Sequence, residues 1–157
     1  WKSAQDRVRI LSGLYGVLRP RDRVEAYRLE MGLKYKPAGA SNLVAFWKDR
    51  ITANLNRSLK KGETVLSVAA QEYNKAVDTE ALKGPLITPV FKERRPDGSL
   101  KTAPVHAKMA RGAMARFAVV NAVDDPAGLM EFGDLGWEAS CEPPESGTWL
   151  FTRTVRD

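Results

Sequence analysis

Apolar positions along this chain keep two different periods. Leu43, Phe46, Trp47, Ile51 and Leu55 recur at helical spacing, so a helix is expected over 43–59, capped by Ser41. Lys60, Lys61 and Gly62 close it with cations at the carbonyl end of the dipole and glycine at the exit. A second long helix is expected over 105–123, with Met109, Ala113, Phe117 and Val120 on one face, Lys108 and Arg111 opposite, and Arg116 at the boundary. Tighter clusters mark strands. Val65, Leu66 and Val68 lie between polar ends, and "GPLITPVFKERRPDGSLKTAPV" reads as two strands joined by the turn Pro96-Asp97-Gly98. A last strand contains Trp149 to Phe151, after a loop at Pro143-Pro144.

The amino-terminal stretch reads as helix, turn, short helix. Val8 and Leu11 stand three apart within 2–11, and Gly13 to Gly16 is where glycine tolerates a helix stop. Arg19-Pro20 turns the backbone away from helix, and Asp22 can cap a short one over Val24 to Leu29. With no internal repeat, these elements give a mixed α/β (α+β) fold, a twisted mixed sheet packed with several helices, in one domain over 1–157.

Composition adds limits. The 157 residues are 43% apolar and 28% charged, as in ordinary globular domains. No apolar run approaches the roughly 20 residues of a membrane span, and the first turns are charged rather than signal-like, so no membrane partner and a cytoplasmic location are expected. Cys141 is the one cysteine, so no intrachain disulfide forms. Trp1 is not an initiator methionine and 2–11 reads as helix interior, so the sequence is read as a piece of a longer chain that lacks its amino-terminal segment.

Charge changes the picture more. The net charge is +6, and between Asp97 and Asp124 there is no carboxylate while Lys101, Lys108, Arg111 and Arg116 supply four cations. Such a helix face either contacts phosphates or is simply solvated. Two further clusters stand out: Arg19 with Arg28 and Glu30, and Glu72, Tyr73 and Lys75 just after a strand. The second is either a surface pair on a short helix or part of a pocket at a strand's carboxyl end. Signatures of phosphate loops, dinucleotide folds and serine hydrolases are absent, and no His, Cys and carboxylate set has metal-ligand spacing. No cofactor or metal is expected. His106 reads as a satisfied structural histidine, and the acidic neighbours of Cys141 disfavour its thiolate.

Four stretches taken together, "LSGLYGVLRPRDRVEAYRLEMG", "AAQEYNKAV", "VFKERRPDGSLKTAPVHAKMARGAMARF" and "FGDLGW", closely resemble the YaaA family of peroxide stress proteins, over about Arg9 to Arg153. The resemblance implies a bacterial cytoplasmic protein of the hydrogen peroxide response that limits unincorporated iron and oxidative DNA damage. It also implies a positively charged cleft and a helix-hairpin-helix-like element that bind double-stranded DNA. Gly13 and Gly16 are then the hairpin glycines, with Arg19, Arg21 and Arg23 beside them, and the DNA contacts are Gly13, Gly16, Arg19, Arg28, Lys101, Lys108, Arg111 and Arg116. Gln71, His106 and Trp137 depart from the family's usual residues, and its "SPAKTL"-like segment is absent. From another class, an enzyme or small-ligand protein would gather Arg19, Arg28, Glu30, Glu72, Tyr73 and Lys75 around an anion, with arginine as a fork and Glu72 or Tyr73 handling protons. The sequence leaves the oligomeric state open.

Overall fold

The computed structural model describes residues 2–140 and 147–154; Cys141 and the loop expected at Pro143-Pro144 lie outside the described residues. The chain forms two compact units, one from Trp1–Thr64 and Ala69–Pro85, the other from Val65–Val68 and Leu86–Asp157.

In the first unit helix α1 spans only Lys2–Arg7. The chain then makes strand β1, Ile10–Ser12, and strand β2, Gly16–Leu18, paired antiparallel with Ile10 opposite Leu18. This overturns the expected helix, turn, short helix: Gly13 to Gly16 turns a β-hairpin. The turn is closed by Ser12, whose Oγ accepts the amides of Leu14 and Tyr15 at 3.2 and 2.9 Å. That leaves the hydroxyl proton for Tyr27 Oη, 2.6 Å away. No helix forms over Val24 to Leu29. This segment serves the hairpin instead, the Tyr27 ring meeting Tyr15 edge to face at 5.4 Å and the Glu25 backbone amide donating to Tyr15 Oη.

Helix α2 spans Leu43–Ser58 as its period predicts, but its cap is Asn42 rather than Ser41, with Asn42 Oδ1 accepting the Ala45 amide at 2.8 Å. It buries Leu43, Ile51 and Leu55. Its Trp47 indole donates to Gly13 O at 2.8 Å. Both hairpin glycines answer to packing: a Cβ on Gly13 would strike the Leu29 carbonyl, and one on Gly16, which sits at φ 75°, would strike the Trp47 ring. Helix α3, Gln71–Asn74, and buried Ala76, Val77 and Leu82 complete the unit.

The second unit is built on a five-stranded mixed sheet. Strand β4, Leu86–Arg94, lies at its centre, with short β3, Val65–Leu66, parallel to its start and β5, Leu100–Lys101, antiparallel to its end. Helix α4, Pro104–Val120, precedes β6, Glu138–Ala139, and β7, Thr148–Thr154. Strand β7 pairs with β4 in parallel over seven residues and with β6 antiparallel, so the expected mixed sheet with packed helices is formed. Phe91, Phe132, Trp137, Trp149, Phe151 and Met114 form the core.

On α4 the buried positions are Ala110 and Met114, while Met109 and Val120 are exposed. The expected apolar face is therefore rotated, with Ala113 and Phe117 at its margin. A wheel weights the large side chains, whereas a small residue such as Ala110 lets the helix approach its neighbours closely.

The two kinds of glycine separate in a substitution test. At Gly112, inside α4, an added Cβ would have nothing within 4 Å. Gly112→Ala should stabilise the fold by about 0.5–1 kcal/mol, and Gly16→Ala should destabilise it by about 1–3 kcal/mol through its positive φ and the Trp47 ring. Urea unfolding of both variants checks the opposite signs.

Candidate functional site

The first site follows from the hairpin register. Ile10 faces Leu18 as the last pair, so Arg9 and Arg19, the next residues out, both lie at the hairpin's open end. The last turn of α2 adds Asn54, Arg57 and Ser58, at i, i+3 and i+4 on one helix face. With Val17 and Asp22 these side chains line an open cavity of about 310 Å³. Arg9 donates from Nη1 to the carbonyls of Asp6 and Val8, both at 2.9 Å. Arg19 donates from Nε to Gln5 O at 3.0 Å and pairs with Asp6 at 3.4 Å, while its amide donates to Asp22 Oδ2 at 2.8 Å. Burial, and then the neighbouring Arg19 charge, hold the Arg9 pKa below the usual arginine value. Arg57 has no hydrogen-bond or ion-pair partner among the described residues.

The second constellation is acidic. Glu72 Oε2, on α3, accepts the Gly32 amide at 3.0 Å, and Tyr73 is the next residue on the helix. Burial raises the Tyr73 pKa most, and the charges of Glu72 and Glu30 raise it further. Glu30, Glu72 and Tyr73 thus meet around the turn at Met31 and Gly32. Of the expected cations, Arg28 reaches only Glu30, at 4.0 Å with its side chain 93% exposed, Lys75 is exposed, and Arg19 turns to Gln5 and Asp6. A pocket holding all six is not formed.

The third lies in the second unit. Lys101, Lys108 and Arg116 are exposed and Arg111 is half-buried. Lys108, Gly112 and Arg116 recur every four residues, one strip of α4 with a bare backbone midway between two cations. Below the start of the helix sits a buried carboxylate. Ile87, Pro89, Phe91 and Glu93 alternate inward along β4, and the parallel register sets Glu93 beside Arg153. Arg153 Nη2 and Nε donate to Glu93 Oε1 at 2.7 and 3.2 Å, and His106 Nδ1 lies 2.7 Å from the same oxygen. The Arg153 guanidinium stacks on the Trp137 ring at 4.8 Å and donates from Nη1 to Leu135 O. Leu135 is held at φ 59°, so the "FGDLGW" turn adopts a left-handed residue where it meets Arg153.

These stretches are also where the chain matches known proteins. The family described as peroxide stress protein YaaA matches residues 1–142. The chain belongs to the YaaA family. It is 46% identical over 152 residues to a UPF0246 protein of Maricaulis maris, covering 96% of this chain and 57% of that protein. It is 44% identical over 156 residues to a UPF0246 protein of Paraburkholderia phytofirmans (97% and 60%), and 41% over 152 to one of Teredinibacter turnerae (96% and 59%). The chain thus spans a little under two thirds of the length of these relatives. Among the described residues no helix is long and apolar enough to cross a membrane.

Arg9, Arg57, Glu93 and Arg153 escape a reading of this YaaA-family sequence for charge clusters. Arg9 and Arg19 are symmetrical about Leu14, and a three-residue hairpin turn at 13–15 would have shown it. Glu93 continues the alternation of Ile87 and Phe91, which would have marked it as buried.

Arg153 above all, and then His106, holds the Glu93 carboxyl below its usual 4.5. A depressed folded pKa gives stability that is present above the unfolded value and lost as pH falls through the folded one. Glu93→Gln should cost about 3 kcal/mol near neutral pH by leaving Arg153 uncompensated. The gap between variant and parent should close as the pH drops below about 4, read from urea midpoints across the acid range.

Proposed function

We propose that this YaaA-family protein acts in the cytoplasm during peroxide stress by binding double-stranded DNA through its phosphates, and with its family helps to limit unincorporated iron and oxidative DNA damage. One observation carries the DNA reading: the exposed strip Lys108, Gly112 and Arg116 on α4, in a stretch without carboxylates from Asp97 to Asp124. The two cations stand about 12 Å apart along the helix, and glycine between them leaves room for a phosphate backbone to come close. Lys101, before the helix, and Arg111, within it, extend the charge. Contacts of this kind position a duplex without reading its bases, so the binding is sequence-tolerant.

The hairpin has a lesser part in this reading. The Leu14 and Tyr15 amides of its turn are bonded to Ser12, and Gly13 and Gly16 face Leu29 and Trp47, so the proposal rests on α4 rather than on the hairpin glycines.

Fluorescence anisotropy of a labelled duplex, titrated at several salt concentrations, tests the proposal. Affinity should fall steeply between about 50 and 200 mM salt. Lys108→Gln with Arg116→Gln should lower the log–log salt slope by about two and weaken binding to unrelated duplexes alike. A folded double variant with the parent's affinity and slope would remove α4 from the DNA face.

A further inference from the structure

Strand pairing penalises like charges set directly opposite. The β1–β2 pairing ends at Ile10 and Leu18, and the next residue out on each side is nevertheless an arginine, Arg9 and Arg19; both line one cavity, to which the last turn of α2 brings a third guanidinium, Arg57. Asp22 is the one carboxylate in the lining, and Asp6 reaches Arg19 from outside it. Three cations against two carboxylates leave one positive charge even when both are counted. The protein's own bonds also leave donors over: Arg9 Nε and Nη2, Arg19 Nη1 and the whole Arg57 fork have no protein partner among the described residues. Asn54 and Ser58 add polar groups on the helix side. A local conflict of this kind, left uncompensated by the fold, is expected where a ligand resolves it.

We propose that the cavity lined by Arg9, Arg19 and Arg57 binds the phosphate of a small phosphomonoester. Two guanidinium forks, Nε with Nη2 of Arg9 and that of Arg57, together with Arg19 Nη1 offer three groups of donors where a carboxylate has two oxygens, and they match the three terminal oxygens of a monoester. At about 310 Å³ the cavity is larger than a phosphate group needs and falls at the lower end of small-ligand sites, leaving room for a compact polar body beside Asn54 and Ser58. This site is in the first unit and does not depend on the DNA-binding strip of α4.

The test is an NMR titration of the isotope-labelled chain, following arginine side-chain Nε–Hε signals at constant ionic strength. Methyl phosphate should shift the Arg9, Arg19 and Arg57 signals saturably. Arg57→Gln should weaken this at least about tenfold, the loss expected for a charge-assisted fork. Lys61→Gln removes the same charge outside the lining and should change it less than about twofold. Arg57 is exposed and has no hydrogen-bond or ion-pair partner among the described residues, so its variant tests binding rather than folding; Ser58→Asp, a second exposed variant, should abolish the shift by placing a carboxylate in the lining. Ribose 5-phosphate binding more tightly than methyl phosphate or inorganic phosphate supports a site for a sugar phosphate, and equal binding of the three supports a site for the phosphate group alone. Dimethyl phosphate binding as tightly as methyl phosphate would overturn the monoester assignment and make the cavity a nucleic-acid backbone contact. No saturable shift, or equal losses from Arg57→Gln and Lys61→Gln, would overturn the site itself.

Discussion

Backbone register decides which charged side chains meet in this protein. In the second unit the parallel pairing of β4 with β7 runs over seven residues and aligns Pro89 with Trp149, Phe91 with Phe151 and Glu93 with Arg153. A slip of either strand by one residue would send its share of these side chains to the other face. The aromatic core and the buried ion pair therefore stand or fall on the same hydrogen bonds. Strand β4 ends its inward stripe on a carboxylate, and β7 ends its own on the guanidinium that neutralises it. The interior can hold Glu93 because three groups compensate it: Arg153, His106 and, through Arg153, the Trp137 ring.

Long periodic segments were legible in the sequence, and short ones were not. Helix α2, the β4–β5 pair and the closing strand are where the apolar pattern puts them, because each carries enough positions for its period to show. The hairpin at Ile10–Leu18 was hidden because three-residue strands offer too few positions to tell alternation from a helical spacing. Two residues three apart, Val8 and Leu11, were enough to suggest a helix that ends at Arg7. Val24 to Leu29 failed for another reason: Tyr27 gains more from Ser12 and Tyr15 than a single helical turn returns. The α4 face was misplaced because alanine, light on any hydrophobic scale, is what close packing selects.

The sites were legible in the same uneven way. Charge runs found α4, since a helix displays consecutive cations along its own axis. They could not find Arg9 with Arg19 and Arg57, which are brought together by a strand pairing and a helix end. They also joined residues that the fold keeps apart: Arg19 and Arg28 sit close in sequence, yet one bonds to α1 and the other is exposed beside Glu30. The motifs shared with the YaaA family fare better, because each is a structural block. The first builds the hairpin, the second α3 with Glu72 seated on Gly32, and the third β4 through α4, while the last makes the turn under Arg153.

The two register-made pairs differ in a way that separates folding from function. Glu93 and Arg153 are opposite charges in a buried place, bonded at 2.7 Å, and their removal would be felt by the core before any ligand. Arg9 and Arg19 are like charges at an open cavity, joined by a third arginine with no hydrogen-bond or ion-pair partner among the described residues. Folding alone would favour an uncharged or acidic residue at one of these positions. Carboxylates do approach, from Asp6 and Asp22, but they bond to Arg19 and leave Arg57 unmatched. A structure that neutralises one pair so fully and leaves the other short of negative charge has the means to compensate a cation. Leaving the hairpin's arginines short of it is what makes that end of the first unit a place for an anion.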